Sequence, residues 1–323
     1  MYLCCVKTAI TRDILKVLEA LESGFAVGIP TETVYGLAAN ALNTEAVRSI
    51  FTIKGRPRSN PLILHFYDRK QAEPFIQEFH PELEVLERAF SPGPITFVVP
   101  KTDLVPSIIT AGNPQVALRF PSQPDLRTLL SKVAFPLAAP SANKYGEISP
   151  TEASHVLQQL DGKISWVLDG GPCTFGLEST IVGMDDSLVT VYRLGSISLD
   201  DLSAVLGYIP KVKNYASGVS LAPGMVKYHY APKTPLRYFS CEVAPKENTG
   251  YIFLSAVPEG FPVNRSSVLS TRGDYREIAR NLYRVLLEMD SREFKELYIE
   301  QPLPEGLGLT LLDRLNRATA KFQ

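Results

Sequence analysis

The 323-residue chain has little of what marks the commonest metal-binding and secreted scaffolds. Its four cysteines, Cys4, Cys5, Cys173 and Cys241, form no C-x-x-C pair and are too few for a disulfide framework. That argues against structural zinc and for a reducing, cytoplasmic setting. There are four histidines (His65, His80, His155, His229) and no H-E-x-x-H, so a histidine-built metal hydrolase has little to start from. G-x-x-x-x-G-K-[ST], G-x-G-x-x-G and G-x-S-x-G are also missing. With them go the grounds for a Walker loop, a dinucleotide fingerprint and a nucleophile elbow. No run of 18 apolar residues occurs, and the opening MYLCCVKTAI has no basic region leading into an apolar stretch. Neither a membrane span nor a secretory leader is expected.

Excess charge is scarce as well, with 33 Lys+Arg against 34 Asp+Glu. The balance is local: residues 1–208 carry −5, residues 209–234 carry +4 from lysine alone, and residues 235–323 are neutral. No domain-wide basic surface is available to hold nucleic-acid phosphates, so strong nucleic-acid binding is not expected.

What is present is a 45% hydrophobic chain, ordinary for a globular protein and long enough for two cores. Residues 11–22 place Ile14, Leu15, Leu18 and Leu21 on one helical face, with Gly24 as a stop. FAVGI, PLILHF, ITFVVP, VALRF and LVTVYRL read as strands, and TEAVRSIFTIK as a helix. Ser149-Pro-Thr-Glu152 reads as a capping box opening a further helix. The interleaving predicts a layered α/β (α+β) domain over residues 1–208. Residues 209–234, rich in Pro, Gly, Ser and Tyr, read as a linker or lid, and residues 235–323 as a smaller α/β unit with an amphipathic helix over 274–290.

Polar residues gather in five segments at the ends of those strands, where α/β folds usually bind ligands. They are Pro30–Leu37 with Thr31 and Thr33; Lys54–Asn60 followed by His65; Arg119; Ala139–Asn143 with Ser149; and Glu178–Thr180 with Arg193. Lys54, Arg56 and Arg58 put three cations within five residues beside Gly55, a pattern suited to polyphosphate. Each segment also has a purely structural reading: a solvated turn, threonines capping a helix, a core histidine, an arginine pairing with a surface acid, a turn-forming asparagine. Cys173 and Trp166 read as core.

In this order, PTETVYGLA, KGRPRSNPLILH, SPGPITFVV, VALRFP, APSAN and GLESTIV resemble the signature of the threonylcarbamoyl-AMP synthase family and its YrdC-like domain. The likeness spans about residues 10–205, and Pro223–Pro232 (PGMVKYHYAP) is similar to the linker of that family's longer members. The resemblance implies a twisted mixed sheet followed by a small Rossmann-like domain. It implies a nucleotidyl transfer in which L-threonine, bicarbonate and ATP give threonylcarbamoyl-AMP and pyrophosphate. The product would pass to a separate transferase complex that modifies tRNA. Thr33, His65, Arg119, Ala139 and Ser179 would hold threonine. Lys54, Arg56, Asn60, Ser141, Asn143, Ser149, Arg193 and Tyr230 would hold ATP, with Mg²⁺ carried on its phosphates. No residue would act as nucleophile; Lys54 and Arg56 would neutralise charge. Residues 215–232 would close over the site as a lid, with His229 or Tyr230 reaching the nucleotide. Selectivity over serine, one methyl smaller, should be modest, about 1–3 kcal/mol. A carbamoyltransferase is disfavoured by the missing C-x-x-C modules, and a double-stranded-RNA module by the −5 charge of residues 1–208.

Overall fold

The computed structural model describes residues 7–213, 230–240 and 244–322. Cys4, Cys5, Cys241, His229 and most of the expected lid lie outside them. Eleven strands form the first sheet. In chain order they are β1 (Ala9–Thr11), β2 (Val27–Ile29), β3 (Gly36–Asn40), β4 (Ile63–His65), β5 (Ile95–Pro100), β6 (Gln115–Arg119), β7 (Leu137–Ala138), β8 (Trp166–Leu168), β9 (Thr180–Asp185), β10 (Leu188–Arg193) and β11 (Lys211–Val212). Their spatial order is β1-β8-β2-β3-β7-β4-β6-β5-β9-β10-β11, with parallel and antiparallel pairs mixed. One apolar core gathers Leu37, Ile50, Phe66, Phe97 and Val182, and another gathers Val17, Leu21, Ile29, Leu130 and Leu168.

Local signals explain the elements that position the site. The helix Thr44–Lys54 starts at Asn43, whose side chain accepts from the N–H groups of Glu45 and Ala46. It stops at Gly55, whose φ of 66° costs glycine little and turns the chain away from the helix axis. The helix Ile14–Glu22 forms as expected, but it buries Val17, Ala20 and Leu21 and leaves Leu15 64% exposed. Ile14 and Leu18 pack against the same core as expected, so of the face read from sequence only Leu15 turns outward, with Val17 and Ala20 joining the buried stripe. GLAAN, not read as a strand, pairs antiparallel with β2 as β3.

Two further expectations are corrected. The capping box at Ser149–Glu152 does not form: the helix begins at Ala153, its N-cap Glu152 makes no side-chain cap, and Ser149 Oγ donates instead to Glu178 Oε1 at 2.7 Å. Nor is the linker region structureless from its start, because β11 pairs parallel with β10.

The second sheet holds β12 (Leu236–Tyr238), β13 (Thr249–Phe253), β14 (Ser266–Val268) and β15 (Glu296–Ile299), all parallel, in the order β12-β15-β13-β14. The helices Tyr275–Asp290 and Leu307–Thr319 bury Leu282, Tyr283, Leu311 and Leu315 in its core. That core also takes in Val34, Ile148 and Leu177 from the first domain, together with Tyr230. The two sheets thus share an apolar interface rather than hanging on a free tether.

Candidate active site

The ends of β4, β6 and β10 and the start of β9 meet at one edge of the large sheet. In register, His65 of β4 lies beside Arg119 of β6. Ser179 precedes β9, and Arg193 ends β10 next to it. The β2–β3 loop and the segment after β7 close a pocket whose walls include Thr31, Thr33, Arg56, His65, Arg119, Ala139, Ser141, Glu178, Ser179, Arg193 and Tyr230. It contains about 530 Å³ of empty space, counting its open mouth.

Each cation here is oriented by the chain. Arg119 Nη2 donates to Glu32 Oε1 at 2.6 Å and its Nε to the Gly93 carbonyl at 3.3 Å, while Glu32 Oε2 accepts from the Ser122 N–H. Arg56 donates from Nε and Nη2 to Asn60 and Pro61. Among the described residues the Nη1 of each makes no hydrogen bond to protein, so both planar groups are fixed on one side and open on the other. Arg193 grips Ser179 through its carbonyl (2.9 Å) and Oγ (3.0 Å). Burial pulls the Arg56 pKa down to about 10 and lowers that of Arg193.

His65 is buried, and its Nδ1 has no hydrogen-bond partner among the described residues. Burial, reinforced by Arg119, lowers its pKa to about 3, so the ring is neutral at physiological pH. A buried polar atom without a partner is rare and calls for one. The shift also has a sign for stability. Below about pH 6.5 the unfolded chain takes up a proton that the folded site refuses until about pH 3. Wild type should therefore lose about 2 kcal/mol through this group between pH 7 and 5. Urea titrations at both pH values should show that increment missing in His65→Asn.

Not every expected residue reaches the pocket wall. The three-cation segment splits because the helix ends at Lys54 and Gly55 redirects the chain, leaving Arg58 exposed on the outer side. Lys54 Nζ is spent on the Ser141 carbonyl (2.6 Å) and on the carbonyl and Oδ1 of Asn143. Asn143 is fully buried, holding the Lys144 and Glu147 carbonyls with Nδ2 and accepting from Ser141 Oγ. Asn60 stands behind Arg56 with its Nδ2 unpartnered, and Ser149 stands behind Glu178. Thr31 and Thr33 cap no helix. They hydrogen-bond each other at 2.7 Å, and Thr31 also closes the turn on Val34. The partner of Arg119 is a buried acid, not a surface one.

Sequence reasoning gave no role to Glu32, Glu178, Tyr283 or Arg314. The first two sit inside the quoted PTET and LEST segments, so a signal existed. The other two are spaced like any residue of an amphipathic helix, and nothing local marks them.

Comparison with known proteins agrees with this architecture. Residues 19–195 match the Sua5/YciO/YrdC family, described as telomere recombination, and residues 197–320 match the threonylcarbamoyl-AMP synthase C-terminal domain. The threonylcarbamoyl-AMP synthase of Pyrococcus abyssi is 35% identical over 93% of this chain and 92% of its own length. That of Bacillus subtilis is 34% identical over 92% and 90%. The crystal structure of P. abyssi Sua5 complexed with L-threonine superposes with a TM-score of 0.86 at 33% identity, covering 98% of both chains. The chain belongs to the threonylcarbamoyl-AMP synthase family of enzymes, in its two-domain form. Among the described residues no helix is long and apolar enough to cross a membrane.

Proposed function

We propose that this chain is an L-threonylcarbamoyladenylate synthase, a nucleotidyltransferase using L-threonine, bicarbonate and ATP. The observation that carries the reading is a buried pocket walled by three oriented guanidinium groups, Arg56, Arg119 and Arg193, beside a neutral histidine with an open ring nitrogen. Such a wall suits reactants that each carry an anionic group and a reaction that needs positioning more than a nucleophile.

The threonine amine and bicarbonate form an N-carboxy species with loss of water: the new N–C bond replaces a C–O bond of bicarbonate, and the departing hydroxide leaves with the amine proton. The carboxylate oxygen of that species bonds to the α-phosphorus of ATP, and pyrophosphate leaves with the electrons of the broken P–O bond. Arg119 would offer Nη1 to the amino-acid carboxylate. His65, with Thr33, would meet the hydroxyl, and Ala139 and Ser179 would bound the methyl side. Arg56, Ser141 and Arg193 would take phosphate oxygens. Lys54, Asn60, Asn143 and Ser149 would serve one layer back, holding those groups in place. Tyr230 would close the nucleotide side.

Mg²⁺ would arrive on ATP. The Glu178 carboxylate in the wall is already held by Arg314 and Tyr283, and no cluster of three potential metal ligands occurs among the described residues. The ion would therefore be held by phosphate oxygens and water. The adenylate would pass to a separate tRNA-modifying transferase.

Pyrophosphate release from ATP and bicarbonate, with and without L-threonine, tests the proposal when joined to mass spectrometry of the product. Threonine-dependent release with the threonylcarbamoyl-AMP mass is expected. Release indifferent to threonine would exclude it.

A further inference from the structure

One group in the pocket wall does not suit an anionic ligand: the carboxylate of Glu178. It is buried, and apart from Ser149 its hydrogen-bond partners all come from the second domain. The Tyr283 hydroxyl lies 3.3 and 3.1 Å from its two oxygens, and Arg314 Nε donates to Oε2 at 2.9 Å. Arg314 is 1% exposed, a charge taken wholly out of water. Its Nη2 donates to the Leu194 carbonyl at 2.6 Å, next to Arg193, and its Nη1 pairs with Asp313.

The same guanidinium lies 4.9 Å from the ring centre of Tyr230, which in turn stacks on Tyr283 at 5.7 Å. Tyr230 sits at φ 65°, a left-handed conformation that a bulky residue keeps only when its surroundings impose it. Directly after it, Ala231 N–H donates to the Gly146 carbonyl. The end of the linker is thus fixed between the first domain's loop and the second domain's arginine.

We propose that Arg314, supported by Tyr283, is a positioning residue for the active site: it neutralises Glu178 and clamps the Tyr230 ring, so that the second domain completes the charge balance of a pocket lying in the first. This rests on the proposed binding of ATP and threonine. An unneutralised carboxylate in a low-dielectric wall would repel the phosphates of ATP above all, enough to weaken its binding tenfold or more on the order of Coulomb estimates. The groups facing Glu178 are Ser149, Arg193 at the end of β10, Tyr283, Arg314 and Tyr230, with Asp313 behind Arg314. Arg193 is already engaged with Ser179 and cannot fully replace Arg314.

The experiment measures kcat, KM for ATP and melting temperature of the full chain at pH 8 and pH 6. In Arg314→Met, KM for ATP should rise by about tenfold at pH 8 and largely recover at pH 6, where the unpaired Glu178 takes up a proton. Adding Glu178→Gln should abolish the pH dependence and bring KM to within about threefold of wild type at both pH values, the residue of the rise being the lost contact of Arg314 with the Tyr230 ring. A lower melting temperature with wild-type KM would overturn the proposal and leave Arg314 as domain glue. So would a KM rise that neither pH 6 nor Glu178→Gln relieves. If Arg314→Met does not fold, Glu178→Gln alone carries the test: with the cation kept and the carboxylate gone, KM for ATP should fall or hold, and a rise overturns the proposal. Wild type without threonine-dependent turnover would instead defeat the functional reading itself.

Discussion

Replacing Arg119 with methionine should cost about 3–5 kcal/mol of stability and nearly all affinity for threonine. The loss of stability comes from what stays behind. Glu32 is 4% exposed, and one of its oxygens faces only Arg119, at 2.6 Å. Without the guanidinium a buried carboxylate is left beside the Ser122 N–H alone. The two effects separate in the double variant Glu32→Gln/Arg119→Met. Removing the orphaned charge should recover most of the stability in urea unfolding, because a neutral amide can be satisfied there at lower cost. It should not recover threonine binding, for which the proposed reading requires the cation. Recovery of both would mean that Arg119 holds the loop and nothing else.

Lys54→Met should be nearly as damaging, although Lys54 does not line the pocket. Its ammonium gathers the carbonyls of Ser141 and Asn143 and the Asn143 side chain, tying the helix Thr44–Lys54 to the segment that carries the pocket's Ser141. Burial and neighbouring Arg56 push its pKa well below the usual lysine value, which marks how far it has been taken from water. Methionine fills the same channel but leaves several carbonyl acceptors bare, each worth roughly 1–3 kcal/mol. A loss of about 3 kcal/mol or more is expected in urea unfolding, with a rise in KM for ATP as the 141–143 segment relaxes. Lys54→Arg should rescue little, since a planar fork cannot sit in a cage built for a point charge. Full rescue by arginine would show that the lysine supplies only charge.

The contrast between Lys54 and Arg56 shows how far the sequence could be read. Both stood out in the sequence as site candidates because they fall in a short polar segment, which the structure places from the end of the helix Thr44–Lys54 toward β4. Their division of labour did not, because it depends on Gly55 at φ 66°, which turns Arg56 toward the pocket and sends Arg58 to solvent. Ser149 failed for a related reason. Its spacing to Glu152 matches a cap, in which its oxygen would accept from a backbone N–H, but Glu178, 29 residues on, gives its hydroxyl a charged acceptor and a stronger bond. Strands such as ITFVVP and VALRF were readable from their own residues, whereas β3, built from GLAAN, gains its identity from pairing with β2 and β7. Arg314 lay furthest out of reach: its partner is 136 residues away, and only the docking of two sheets brings them together.

The shared core also bears on how the chain can be divided. A cut after the first sheet, natural on composition, would run through an apolar interface rather than a hinge. Val34, Ile148 and Leu177 would be left facing water beside the stranded charge of Glu178. A fragment of that kind keeps its sheet but acquires a sticky face next to its pocket, and self-association would compete with folding whenever it is made alone. Anyone shortening this protein for expression would do better to blunt that face with polar residues than to search for a cleaner boundary.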